Sequence, residues 1–88
     1  AESWGMIWQV VEDEALIDTV LNLARHMATQ PTSAFALQKL AFAQSAVNSL
    51  DTQLELERTL MSEAGKTEDY HEGVAAFLEK RVPVFKGK

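Results

Sequence analysis

From Gly5 to Val11 the chain reads Gly-Met-Ile-Trp-Gln-Val-Val, an apolar run with β-branched and aromatic residues, bounded by the glycine and by Glu12-Asp13-Glu14. Such a run is the signal of a buried strand. Everything after it is patterned at helical spacing. A lone strand leaves its backbone donors and acceptors without a neighbour, so an orphan strand over 5–11 ahead of helices implies a sheet contributed from elsewhere. The expected fold class is therefore mainly α, a short leading strand followed by about four helices in a single domain over 1–88. On this reading the 88 residues, which open on Ala1 without an initiator Met, are a segment of a longer chain.

The first helix is expected over 13–28. Asp13 is the expected N-cap, the acids around it suit the positive end of the helix dipole, and Leu16, Val20, Leu23, Ala24 and Met27 recur at steps of three and four. Gln30-Pro31 ends it, because a proline disfavours helical geometry in the residue before it. Thr32 or Ser33 then caps a second helix over 33–48, with Ala36, Leu37, Leu40, Ala41 and Val47 on its apolar side. A break at Ser49 to Asp51 precedes a third helix over 52–64, which presents Leu54, Leu56, Leu60 and Met61 for burial, and Gly65 is expected to supply a left-handed C-cap. The fourth helix, over 67–81, is capped by Thr67, turns Val74, Phe77 and Leu78 inward, carries Lys80 and Arg81 in its last turn and stops at Pro83.

Charge and composition exclude several function classes. A net charge of −5 argues against general affinity for nucleic acid, where Lys and Arg neutralise phosphates. The balance is uneven, since the last ten residues hold Lys80, Arg81, Lys86 and Lys88 against Glu79 alone. With no cysteine there is no thiolate nucleophile and no Cys-based zinc site. No apolar run approaches the roughly 20 residues that a membrane helix needs, and a cytoplasmic location is expected, with no membrane partner.

No catalytic constellation is visible. His26 and His71 are isolated and read as surface residues, so no metal site is expected. Glu55 and Glu57 stand two apart on a helix and point in different directions, which rules out a shared proton and leaves them solvated, or partnered with Arg58 or a neighbouring subunit. Trp4 and Trp8 read as core contacts. The apolar faces of the first two helices, which include Phe35 and Phe42, exceed what one short helix covers, and part of them is expected to serve subunit association. Phe77 and Lys80, three apart, form an aromatic face and an ammonium suited to stack on a base and neutralise a phosphate, the alternative being a core Phe and a solvated Lys.

The stretch Thr67 to Gly87, read as Thr-x-Asp-x-x-Glu-Gly-x-x-Ala-Phe-Leu-Glu-Lys-Arg-x-Pro-x-Phe-x-Gly, resembles the ending of enoyl-CoA hydratase/isomerase subunits of the crotonase superfamily. Gly5-Met6-Ile7 followed by Val10-Val11 resembles that family's Gly-Leu-Val-x-x-Val-Val strand, and Pro31 with Lys39 resembles the start of its next helix. Ser33-Ala34 departs from the pattern, alanine falling one place later. The opening residues are most similar to the branch of the family that serves phenylacetate degradation.

The resemblance implies a parent subunit that ends in a helical trimerisation region, of which this chain would be the final strand and helices. In the family two acidic side chains and two oxyanion-hole amides act on an acyl-CoA thioester through an enolate, and all of them lie earlier in the parent chain. No catalytic residue is therefore expected in these 88 residues, and no cofactor is expected to be held by them alone, acyl-CoA being the parent's substrate. The C-terminal helix of the family helps hold the adenine and phosphate end of CoA, a role that falls by position on Phe77, as an apolar or stacking contact, and Lys80, as a phosphate partner. The expected assembly is a trimer or hexamer for the parent and a dimer or trimer for this segment. A rival expectation from another class is a free-standing helical homo-oligomerisation module that binds no CoA.

Overall fold

A computed structural model describes residues 1–88. Four helices follow one another, α1 over Leu16–Ala28, α2 over Thr32–Ser45, α3 over Leu50–Ala64 and α4 over Glu68–Glu79, with a 3-10 turn at Asp13–Ala15 leading into α1. All four expected helices are present and the fold class is mainly α. None of them is long and apolar enough to cross a membrane.

The expected strand over 5–11 does not form. The chain offers no second strand for it to pair with, and three of its amides find local partners instead: those of Gly5 and Met6 donate to the carbonyls of Glu2 and Ala1, and that of Val10 donates to the Glu2 carboxylate at 2.9 Å. Trp4 and Trp8, expected in a core, are exposed for the same reason, because no neighbouring layer covers this segment.

Helix ends depart from expectation by small amounts with identifiable causes. Asp13 begins the 3-10 turn rather than capping α1, and no side chain caps either that turn or α1. Pro31, not Thr32 or Ser33, stands before α2, which is also uncapped by a side chain. It ends at Ser45, whose hydroxyl donates to the Phe42 carbonyl, and so Val47 lies beyond the helix and exposed. α3 starts two residues earlier than expected because Ser49 is its cap, the hydroxyl accepting from the Thr52 amide at 3.3 Å. Gly65 closes α3 in right-handed geometry, φ −66, so the left-handed cap expected there is absent. The chain continues through turn bonds from Lys66 and Thr67 to the carbonyls of Glu63 and Ala64, directly into α4.

α2 and α3 form a helical hairpin, the only two α-helices in extensive contact. Gln53, at the start of α3, ties it by donating to the Ala41 carbonyl at 3.1 Å. α1 makes extensive contact only with the 3-10 turn before it. The result is a flat, open arrangement of 42 × 39 × 19 Å with a radius of gyration of 16.5 Å, against about 12 Å for a compact domain of this length. Its accessible surface is 7241 Å², where a compact monomer of this mass exposes about 5,200 Å². Leu16, Val20, Phe42 and Met61 all face outward. Much of the helices' apolar surface is thus left uncovered by the chain's own atoms. The small closed region lies where α4 meets the returning tail, and it contains the two buried residues, Ala76 and Asp69.

Candidate functional site

α4 begins with a well-made cap. The Thr67 hydroxyl donates to the Ala64 carbonyl at 2.7 Å and accepts from the Tyr70 amide at 3.1 Å, while Glu68 and Asp69 occupy the first turn at the positive end of the dipole. The helix ends abruptly. Lys80 adopts the left-handed conformation, φ 55 and ψ 40, and the Arg81 amide reaches back to the Ala76 carbonyl at 3.0 Å. This corrects the expectation that Lys80 and Arg81 share the last turn and that Pro83 is the stop: the reversal happens three residues before the proline.

Beyond Lys80 the tail runs back along α4 and is clasped by two carboxylates three residues apart. Glu72 receives both terminal nitrogens of Arg81, at 2.6 and 2.9 Å, together with the Val84 amide at 2.8 Å. Arg81 also donates from Nε to Glu79 at 2.6 Å. Asp69, only 2% exposed, accepts the amides of Lys86 and Gly87 at 2.6 and 2.7 Å, and its own amide donates to the Lys88 carbonyl at 3.0 Å. The guanidinium and the Val84 amide together hold the Glu72 carboxyl down at about 2, and the two carboxylates facing Arg81 push its own value upward. Phe85 passes over Gly73, where a Cβ would sit 3.6 Å from its ring.

Phe77 lies on the outer side of α4 and is 82% exposed, so it does not turn inward as its spacing predicts. Leu78 and much of Val74 are exposed with it. With Val74, Leu78 and Phe85, and with Pro31 and Ala34 from the start of α2, Phe77 lines an open apolar groove of about 400 Å³. Lys80 is exposed and enters no ion pair, whereas Arg81 beside it is doubly engaged. Its amide donates to the Phe77 carbonyl at 3.3 Å. Phe77 and Lys80 thus both stand exposed at the C-terminal end of α4.

The other candidates fall where their chemistry suggests. His26 and His71 are exposed and apart, His71 packing edge-on against the Tyr70 ring at 5.8 Å, and no cluster of metal-ligating side chains is present. Glu55 pairs with Arg58 at 2.6 Å, which lowers the carboxyl below its ordinary range, while Glu57 accepts from Gln53 at 3.0 Å. Sequence reasoning missed the roles of Asp69, Glu72 and Arg81. A signal existed: acids at positions three apart face the same side of a helix, and a basic residue followed by Pro83 and Gly87 marks a tail free to return.

Comparison with known proteins bears out the family resemblance. The sequence profile of the Enoyl-CoA hydratase/isomerase family matches residues 1–88. The chain is 58% identical over its whole length to the 1,2-epoxyphenylacetyl-CoA isomerase of Escherichia coli K12 and 38% identical to the 2,3-dehydroadipyl-CoA hydratase of the same organism, spanning 34% of each. The crystal structure of an enoyl-CoA hydratase/isomerase-type protein from Mycobacterium abscessus superimposes on all of this chain with a TM-score of 0.94 at 34% identity, again over 34% of its own length. The chain thus spans about a third of the length of the relatives it matches.

Proposed function

Because the chain belongs to the enoyl-CoA hydratase/isomerase family, we propose that it is the C-terminal, oligomerising and CoA-contacting segment of an acyl-CoA isomerase or hydratase that works through an enolate. The identity to an epoxyphenylacetyl-CoA isomerase favours an aromatic-acid route over fatty-acid catabolism. In this reading acyl-CoA is the substrate of the complete subunit, the 88 residues supply no catalytic acid or oxyanion hole, and alone they are inactive. Phe77 serves as the apolar or stacking contact for the adenine end of CoA, and Lys80 as a partner for its phosphates.

The observation that carries the ligand assignment is the pairing of an 82% exposed Phe77 with the uncommitted ammonium of Lys80 at the end of α4. An exposed ring and a free ammonium at one helix end are the contacts that the base and phosphates of a nucleotide use. The wide exposure of apolar residues on α1, α2 and α3 supports association with further copies or with the rest of the subunit. It equally suits a homo-oligomerisation module without CoA binding, and ligand titration separates the two.

The test is calorimetric titration of coenzyme A into the complete subunit with and without Lys80→Ala. The expected loss is about 1 to 3 kcal/mol, roughly five- to 150-fold in Kd, the range of a charge-assisted hydrogen bond. An unchanged Kd would overturn the assignment and leave the association module as the better reading.

A further inference from the structure

Lys80 is the one residue other than glycine with a positive φ, and the position it holds is the left-handed C-cap where glycine is the ordinary choice. A side chain at that conformation crowds its own backbone and persists only where the surroundings over-determine it. Here they do so from one side. Immediately after Lys80, Arg81 is anchored by two nitrogens to Glu72, a residue nine positions earlier on α4, and the Val84 amide lands on the same carboxylate. Glu72 stays ionised across the physiological range, so the pair keeps both of its charges there. Of the adjacent cations, Arg81 is consumed by the clasp and Lys80 is left without a partner.

Resting on the CoA-contact reading above, we infer that Glu72 and Arg81 are positioning residues: their two-pronged pair braces the chain reversal at Lys80 and so fixes how the Lys80 side chain leaves the end of α4 that carries the exposed Phe77, for the phosphates of a nucleotide-bearing ligand. Without the pair, the bonds left beyond Lys80 are that of the Arg81 amide to the Ala76 carbonyl and those of Asp69, which act only from Lys86 onward. The reversal then loosens, and the Lys80 ammonium loses its fixed position. The pair never touches the ligand; it acts through the backbone of Lys80.

The experiment measures coenzyme A binding to the complete subunit for wild type, Lys80→Ala, Glu72→Gln and the double variant, with the acyl-pantetheine thioester, which lacks the nucleotide and its phosphates, as a parallel probe. Glu72→Gln is expected to weaken coenzyme A by at least half of the logarithmic loss caused by Lys80→Ala, the double variant to be no weaker than Lys80→Ala alone, and the pantetheine thioester to bind all four proteins alike. The non-additivity is the mark of two residues acting through one contact. Equal weakening of both probes by Glu72→Gln would mean that the pair merely holds the fold together and would overturn the inference. So would a Glu72→Gln affinity equal to wild type beside a weakened Lys80→Ala, or losses that add in the double variant. An unaltered affinity in Lys80→Ala would instead remove the CoA-contact reading itself. Those two failures are therefore distinguishable.

Discussion

Gly87 comes so close to Thr32 that a Cβ placed on it would stand 2.6 Å from the threonine hydroxyl, and its φ of +76 is one that side chains rarely adopt. The tail therefore reaches past α4 to the first residue of α2, and a glycine is required at the point of contact. Gly87→Ala is expected to cost about 1 to 2 kcal/mol from the left-handed backbone alone, with a further loss from the clash. Adding Thr32→Ala should recover the clash component only. Native-state hydrogen exchange at the tail amides reads both, and an alanine variant with wild-type protection would mean that the contact is absent in solution.

Asp69 is nearly fully buried and accepts two tail amides. In Asp69→Ala these amides lose a charged acceptor, a bond worth about 1.5 to 3 kcal/mol. Exchange at Lys86 and Gly87 should accelerate roughly ten- to 160-fold, while that of the α2–α3 hairpin stays unchanged. Acceleration throughout the chain would show that the clasp and the hairpin open as one unit.

Glu72 gives the clasp a defined pH response. Its ordinary value of 4.5 falls to about 2 when folded, so the unfolded chain takes up this proton first as the solution is acidified. The stabilisation it provides is complete above about pH 4.5, declines between 4.5 and 2, and is gone below that. Carbon-detected titration of the Glu72 carboxyl should give a midpoint near 2, and Glu72→Gln should flatten the acid limb of tail stability over the same interval. A midpoint at the ordinary value would indicate an open clasp.

The chain exposes roughly 2,000 Å² more surface than a compact monomer of its mass, an excess more than twice the roughly 800 Å² that each partner buries in a standard protein interface. Light scattering across a concentration series should give a dimer or trimer at high concentration. Phe42→Glu and Met61→Glu place charges in the wide groove between α2 and α3, which both residues line, and are expected to return the mass toward that of a monomer. A monomer at every concentration would mean that these faces need the remainder of a subunit rather than a second copy.

The sequence by itself determined the four helices, their order and two of their caps, because periodicity and capping act between residues three or four apart. Ser49 and Thr67 each start a helix by accepting from an amide three residues on, a bond that needs nothing beyond the local sequence. It also marked which faces are apolar. Tertiary structure alone decided whether those faces find a partner within the chain, and Phe77, Leu78 and Phe42 show that they do not: spacing defines a stripe without saying what covers it. The fate of 5–11 was undecidable locally for a related reason, since a strand exists only through its neighbour. The left-handed Lys80 and the clasp escaped because they depend on bonds between Asp69 and Gly87 or Glu72 and Arg81, separations of 18 and 9 residues. At those distances no local pattern reports where a returning chain lies, and only the packed backbone brings the carboxylates and the tail amides together.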